Sequence, residues 1–168
     1  GQERPVLVDG FTWEPMQISD LDVEISRRLS SSPTLWNAEK SVELAELSLT
    51  LYTFAGQTGG DNYNYRNIDV NKAKLSAAQK RDQLQQSMRD IYTSICDLEE
   101  QYNNLQQDLK LAESEYQGLQ LKYKLGLIPK GDLLAAELEL ANHRKSINDV
   151  IYQHQLLIMT FDKPWVKQ

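Results

Sequence analysis

The sequence predicts an all-α fold, an elongated antiparallel coiled-coil helical hairpin in which one long helix is flanked by two shorter helices stacked end to end. Three observations carry this expectation. From Asn67 to Leu125 the chain contains no proline and a single glycine, Gly118. Within that stretch Leu84, Met88, Ile91, Ile95, Leu98, Tyr102, Leu105, Leu109, Ala112, Tyr116, Leu119 and Tyr123 follow one another at alternating steps of four and three. That 3.5-residue period specifies a coiled-coil seam with a left-handed supercoil. Finally, aromatic residues are 8% of the chain and the mean hydropathy is −0.55, so the apolar side chains must form a narrow stripe rather than a thick core.

Each element has its own signals. Residues 1–17 read as an extended arm, interrupted by Pro5, Gly10 and Pro15, with Val6, Leu7, Val8, Phe11 and Trp13 apolar enough to pack on helices. A short helix opens at Ser19, whose hydroxyl can cap the first turn, with Asp20 and Asp22 at the positive end of the dipole, and it closes near Leu29. Ser32 and Pro33 restart the helix as N-cap and first helical residue. From Pro33 to Ala55, residues Leu35, Ala38, Val42, Ala45, Leu49 and Tyr52 keep one face apolar. The Gly- and Asn-rich run from Gly56 to about Asn67 reads as a loop, with Tyr63 and Tyr65 in it.

The long helix, about 60 residues or roughly 90 Å at 1.5 Å per residue, is expected to stop at Gly126, which suits a left-handed C-terminal position. Leu127 can fold back on Leu121, Pro129 blocks continuation, and Asp132 can cap the next helix. That last helix, Leu133 to Phe161, carries Leu134, Leu138 and Ala141, then Ile147, Ile151, His154, Ile158 and Phe161. Its seam is expected to change register between Ala141 and Arg144. The two shorter helices together match the long one in length. The resulting division is an arm over 1–17, one helical repeat over 18–164 and a tail over 165–168.

Composition excludes several classes of function. The formal charge of −6 and the absence of a Lys/Arg stripe argue against nucleic acid as a partner. Cys96 is the only cysteine, so no internal disulfide and no thiolate zinc site is expected. His143 and His154, eleven residues apart, are too distant on one helix to share a metal; a surface and a core role are expected for them respectively. No nucleophile–base arrangement and no phosphate-cradling glycine loop is present, so neither an enzyme nor a cofactor is expected. No apolar run approaches the roughly 20 residues of a transmembrane helix.

Three passages resemble one repeat of the TolC-type outer-membrane efflux proteins. Leu29-Ser30-Ser31-Ser32-Pro33-Thr34-Leu35-Trp36-Asn37-Ala38 is similar to the repeat opening. Tyr123-Lys124-Leu125-Gly126-Leu127-Ile128-Pro129-Lys130-Gly131-Asp132-Leu133-Leu134 is similar to the family's aromatic-x-x-Gly-Leu turn followed by Asp-Leu-Leu. The stretch from Ala141 through Phe161-Asp162-Lys163-Pro164 is similar to the closing helix. The resemblance implies an extracytoplasmic export component with its signal peptide removed. It further implies self-association through apolar helix seams and a hairpin tip of Tyr123, Leu125, Gly126, Leu127 and Asp132 that meets a periplasmic adaptor of an export pump. The chain departs from the family in having a single repeat. About a dozen residues stand where the family places a pair of transmembrane strands, too few for two strands and a turn. The alternative is a stand-alone coiled-coil scaffold or spacer with no transport role.

Overall fold

A computed structural model describes residues 13–54, 56 and 60–166. Four α-helices and no strand occur among these residues: α1 (Leu21–Ser30), α2 (Pro33–Phe54), α3 (Asp61–Lys124) and α4 (Lys130–Asp162). The expected arm residues Val6, Leu7, Val8 and Phe11 lie outside the described residues, as does the end of the expected tail.

The N-terminus of α1 corrects the sequence reading by one residue. Asp20, not Ser19, is the cap: its backbone is extended, and its Oδ1 accepts from the Asp22 and Val23 amides at 3.0 and 3.1 Å. A carboxylate there satisfies two unpaired donors and places a full negative charge on the helix dipole, which a hydroxyl cannot do. Ser32 caps α2, its carbonyl accepting from the Trp36 amide at 3.0 Å.

Helix α3 begins at Asp61, six residues before the expected start, so Tyr63 and Tyr65 are helical and not part of a loop. Gly56 and Gly60, with φ of 78° and 88°, bound the connection. Residues 61–67 are rich in Asn, which local propensity favours in turns. Yet Tyr63, Arg66, Val70, Ala73 and Ala77 occupy the less exposed positions at helical spacing, so packing overrides that preference.

Contacts divide the chain into two compact units. One combines Gln17–Tyr92 with the segment from Thr160 onward. Here α2 runs antiparallel to the first segment of α3, as Glu39–Arg81 (2.8 Å), Glu46–Lys74 (2.7 Å) and the hydrogen bond from Arg66 to Ser48 show. Its core holds Ile25, Leu35, Ala38, Val70, Met88 and Phe161. The Phe161 ring lies under the Arg28 guanidinium at 4.7 Å, and that guanidinium also reaches Asp162 at 2.5 Å.

The other unit combines Thr93–Met159 with the described end of the arm. The second segment of α3 runs antiparallel to α4, with Glu113–Arg144 at 3.1 Å and Glu99 against His154 at 3.1 Å. On α3, Ile95 is fully buried and Leu98, Tyr102, Leu105, Leu109, Ala112, Tyr116 and Leu119 are half-buried. Upstream, in the first unit, Met88 is fully buried and Leu84 and Ile91 half-buried.

The face of α4 differs from the expected one. Leu133, Ala136, Leu140, His143, Ile147, Val150 and His154 are its less exposed residues, in one uninterrupted register, while Leu134, Leu138 and Ala141 face outward. No register change occurs between Ala141 and Arg144. His143 is half-buried on the packed face and not a surface residue. The expected slip arose from taking Leu134 and Leu138 as the packed residues; continuing the spacing back from Ile147 places Leu140, Ala136 and Leu133 on the face instead.

Candidate interaction surfaces

The turn between α3 and α4 is built by its hydrogen bonds. The Leu127 amide donates to the Lys122 carbonyl at 2.9 Å and the Gly126 amide to the Tyr123 carbonyl at 2.9 Å, the paired closure of a Schellman motif. Gly126 has φ of 72°, the left-handed value this closure requires and one that a Cβ penalises. The sequence-predicted tip residues all reach solvent: Leu125 is 65% and Leu127 69% exposed, Tyr123 is 39% exposed, and Asp132 is exposed. Leu121 is exposed as well, so an apolar contact between Leu127 and Leu121 does not remove either from water. Asp132 does not cap α4, which already begins at Lys130; its amide donates to the Pro129 carbonyl at 3.2 Å, and its carboxylate sits in the first turn beside the positive end of the dipole. The tip therefore presents leucines held by a rigid turn, with basic residues Lys122 and Lys124 in the last turn of α3.

A second site lies where the arm meets the helices, and sequence reasoning found only half of it. Trp13 stacks on Tyr102, with ring centroids 3.7 Å apart and planes 11° apart, and its other neighbour is the His154 ring at 4.4 Å. Glu99 Oε1 accepts from the Met16 amide at 2.6 Å and faces His154 Nε2 at 3.1 Å. His154 is fully buried, and its Nδ1 has no hydrogen-bond partner among the described residues. Against the Glu99 carboxylate, an acceptor, Nε2 is the donor of that contact. The cluster pins the arm: one carboxylate ties together arm, α3 and α4. Glu99 reads in sequence as part of a solvated acidic face with Asp97 and Glu100; only tertiary contact distinguishes it.

The third surface escaped sequence reasoning entirely. On α2, Leu44, Leu47, Leu51 and Phe54 are 67%, 53%, 60% and 90% exposed, on the back of the helix relative to the Leu35, Ala38 and Val42 face. On the first segment of α3, Tyr65, Ile68 and Leu75 are 65%, 46% and 60% exposed, again on the back. A second three-and-four spacing, running beside the first, was the available signal.

A cleft of the Thr93–Met159 unit, between α3 and α4, is lined by Tyr116, Leu140 and a mixture of charges, Glu113, Glu137, Arg144 and Lys145, with Glu113 paired to Arg144. Among the described residues no cluster of three His, Cys, Asp or Glu side chains has metal-holding geometry, and no helix is long and apolar enough to cross a membrane. Cys96 is exposed. No family model, curated protein or solved structure matches the chain.

Proposed function

We propose that this chain is a non-enzymatic, extracytoplasmic export component resembling the TolC-type efflux proteins, acting by helix–helix assembly and by docking its tip on an adaptor protein. In this reading α2 and α4 lie end to end along α3 as an antiparallel coiled-coil hairpin, and the turn at Gly126 is the docking end. The observation that carries the proposal is the tip itself. A Schellman-closed turn holds Leu125 and Leu127 in water at a fixed geometry, where they contribute little to the core. Exposed leucines on a rigid turn are suited to the apolar groove of a partner coiled coil.

The test replaces Leu125 and Leu127 by Asp and follows both crosslinking to a coiled-coil adaptor and export in cells. The proposal expects loss of both with the helical circular dichroism unchanged. Unaltered crosslinking and export would overturn it.

One observation favours the alternative of a stand-alone scaffold. Only residues 55–60 separate α2 from α3, so the position where efflux proteins insert their strand pair is a short connection here. A scaffold would tolerate the two Asp substitutions without any change in export.

A further inference from the structure

The turn at Gly126 carries charge as well as leucines, and the charge is unevenly placed. Between Thr93 and Met159, residues 121–134 hold three lysines, Lys122, Lys124 and Lys130, and one acid, Asp132. The remainder of that stretch holds nine acidic residues against three Lys or Arg. All three tip lysines are exposed, and none forms an ion pair among the described residues, whereas Arg144 on α4 is tied to Glu113.

Folding explains two of these lysines and not the third. Lys122 and Lys124 lie in the last turn of α3, where a cation offsets the negative end of the helix dipole. Lys130 is the first residue of α4, at the positive end, where a cation is unfavourable. Asp132, in the same first turn, supplies the charge which that end prefers. What the three lysines share is their place: they flank Leu121, Leu125 and Leu127, which are 61%, 65% and 69% exposed.

The apolar part of the tip has a fixed form. Leu121 and Leu125 are four residues apart and make a short ridge along the end of α3, and the closed turn fixes Leu127 just beyond it. A groove between packed helices is complementary to a ridge of fixed form, whereas a fluid bilayer gains nothing from one.

We infer that the partner of this tip is a protein whose apolar groove is rimmed by carboxylates, the leucines entering the groove while Lys122, Lys124 and Lys130 meet the rim. The acidic residues behind the tip are repelled by such a rim, so attraction acts at the turn alone and the two helices approach end on. This rests on the docking reading and adds to it the chemistry of the partner.

The experiment places a photoreactive residue at Leu127 of the full chain and measures capture in cells. Lys130→Glu separates docking from folding. Removing a cation from the positive end of α4 is expected to hold or raise the melting temperature while capture falls about threefold. The triple variant Lys122→Glu, Lys124→Glu, Lys130→Glu is expected to lose about tenfold with helical circular dichroism intact, and Lys110→Glu, away from the tip, is expected to lose nothing. If the triple variant loses helicity, Lys130→Glu alone decides. The captured peptide is expected to carry Asp or Glu within one helical turn of the crosslinked residue, and changing those to Lys is expected to restore capture by the triple variant. Parental capture in the Lys→Glu variants, a basic captured peptide, or an adduct with lipid in place of protein would overturn the inference. The first two of these results leave tip docking standing. No adduct from the parent chain would remove docking and this inference together.

Discussion

The two segments of α3 are alike on the inside and differ in how apolar their outer faces are. Both bury one face at steps of three and four, the first from Tyr63 to Ala77 and from Leu84 to Ile91, the second from Ile95 to Leu119. On the back, the first segment shows Tyr65, Ile68 and Leu75 to water, whereas the second shows Asp97, Glu100, Asn104 and Gln107 before a single leucine, Leu111. A helix covered by one partner needs only one apolar face. The second apolar face of the first segment therefore has no explanation in the folding of its own unit, and exposed apolar ridges of this kind mark contact surfaces. The cores differ too. One unit closes on Ile25, Met88 and Phe161 with the capping Ser32 buried beside them, and the other buries His154 against Glu99 and plugs it with Trp13.

That comparison can be broken most forcefully at the cores. Phe161→Ala removes a fully buried ring from beneath Arg28 and beside Tyr92, and is expected to cost about 3–5 kcal/mol in denaturant unfolding. A smaller loss would mean that the end of α4 is not integral to its unit. Trp13→Ala removes the stack on Tyr102 and the contact with His154. Half-buried, Trp13 is expected to contribute about 2 kcal/mol, with loss of near-ultraviolet circular dichroism confined to that cluster. Stability within error of the parent would show that the arm does not hold this unit.

Finer substitutions sharpen the contrast. Gly126→Ala places a Cβ at φ of 72° and is expected to lower the melting temperature, at a cost of about 1–2 kcal/mol. Gly118→Ala is its control, since Gly118 is helical with nothing within 4 Å of an added Cβ, and a gain of about 0.5–1 kcal/mol is expected there. Leu75→Gln on the exposed ridge should change the unfolding free energy of the isolated monomer by no more than about 0.5 kcal/mol, read at concentrations where no oligomer forms. A large loss in that monomer would place Leu75 in the core of its own unit and remove the distinction between inner and outer faces.

Much of the helical framework is legible because its signals are local. Ser32-Pro33 marks a helix start, Gly126 and Pro129 mark a break, and a proline-free heptad run marks the length of α3. The misreadings have equally definite causes. Ser19 and Asp20 are both competent caps, and only the extended backbone at Asp20 selects it. Residues 61–67 carry turn propensity, which the burial of Tyr63 and Arg66 on the packed face outweighs. On α4, Leu134 and Leu138 are larger than Leu133's partner Ala136, so hydrophobicity drew the reading to the wrong face; volume alone does not say which of two adjacent stripes meets a neighbour. The arm cluster was not legible because Glu99 lies 83 residues from the Met16 amide it accepts from. The ridge on α2 is not distinguished in sequence because one apolar stripe already suffices to account for a helix.

The most direct test of the central claim, contact through the tip, is photo-crosslinking in cells from single positions on the two exposed surfaces of the Thr93–Met159 unit. A photoreactive residue at Leu127 is expected to capture an export-pump adaptor, and the same residue at Gln107 is expected to capture none. No adduct from Leu127, or the same adduct from both positions, would contradict the account.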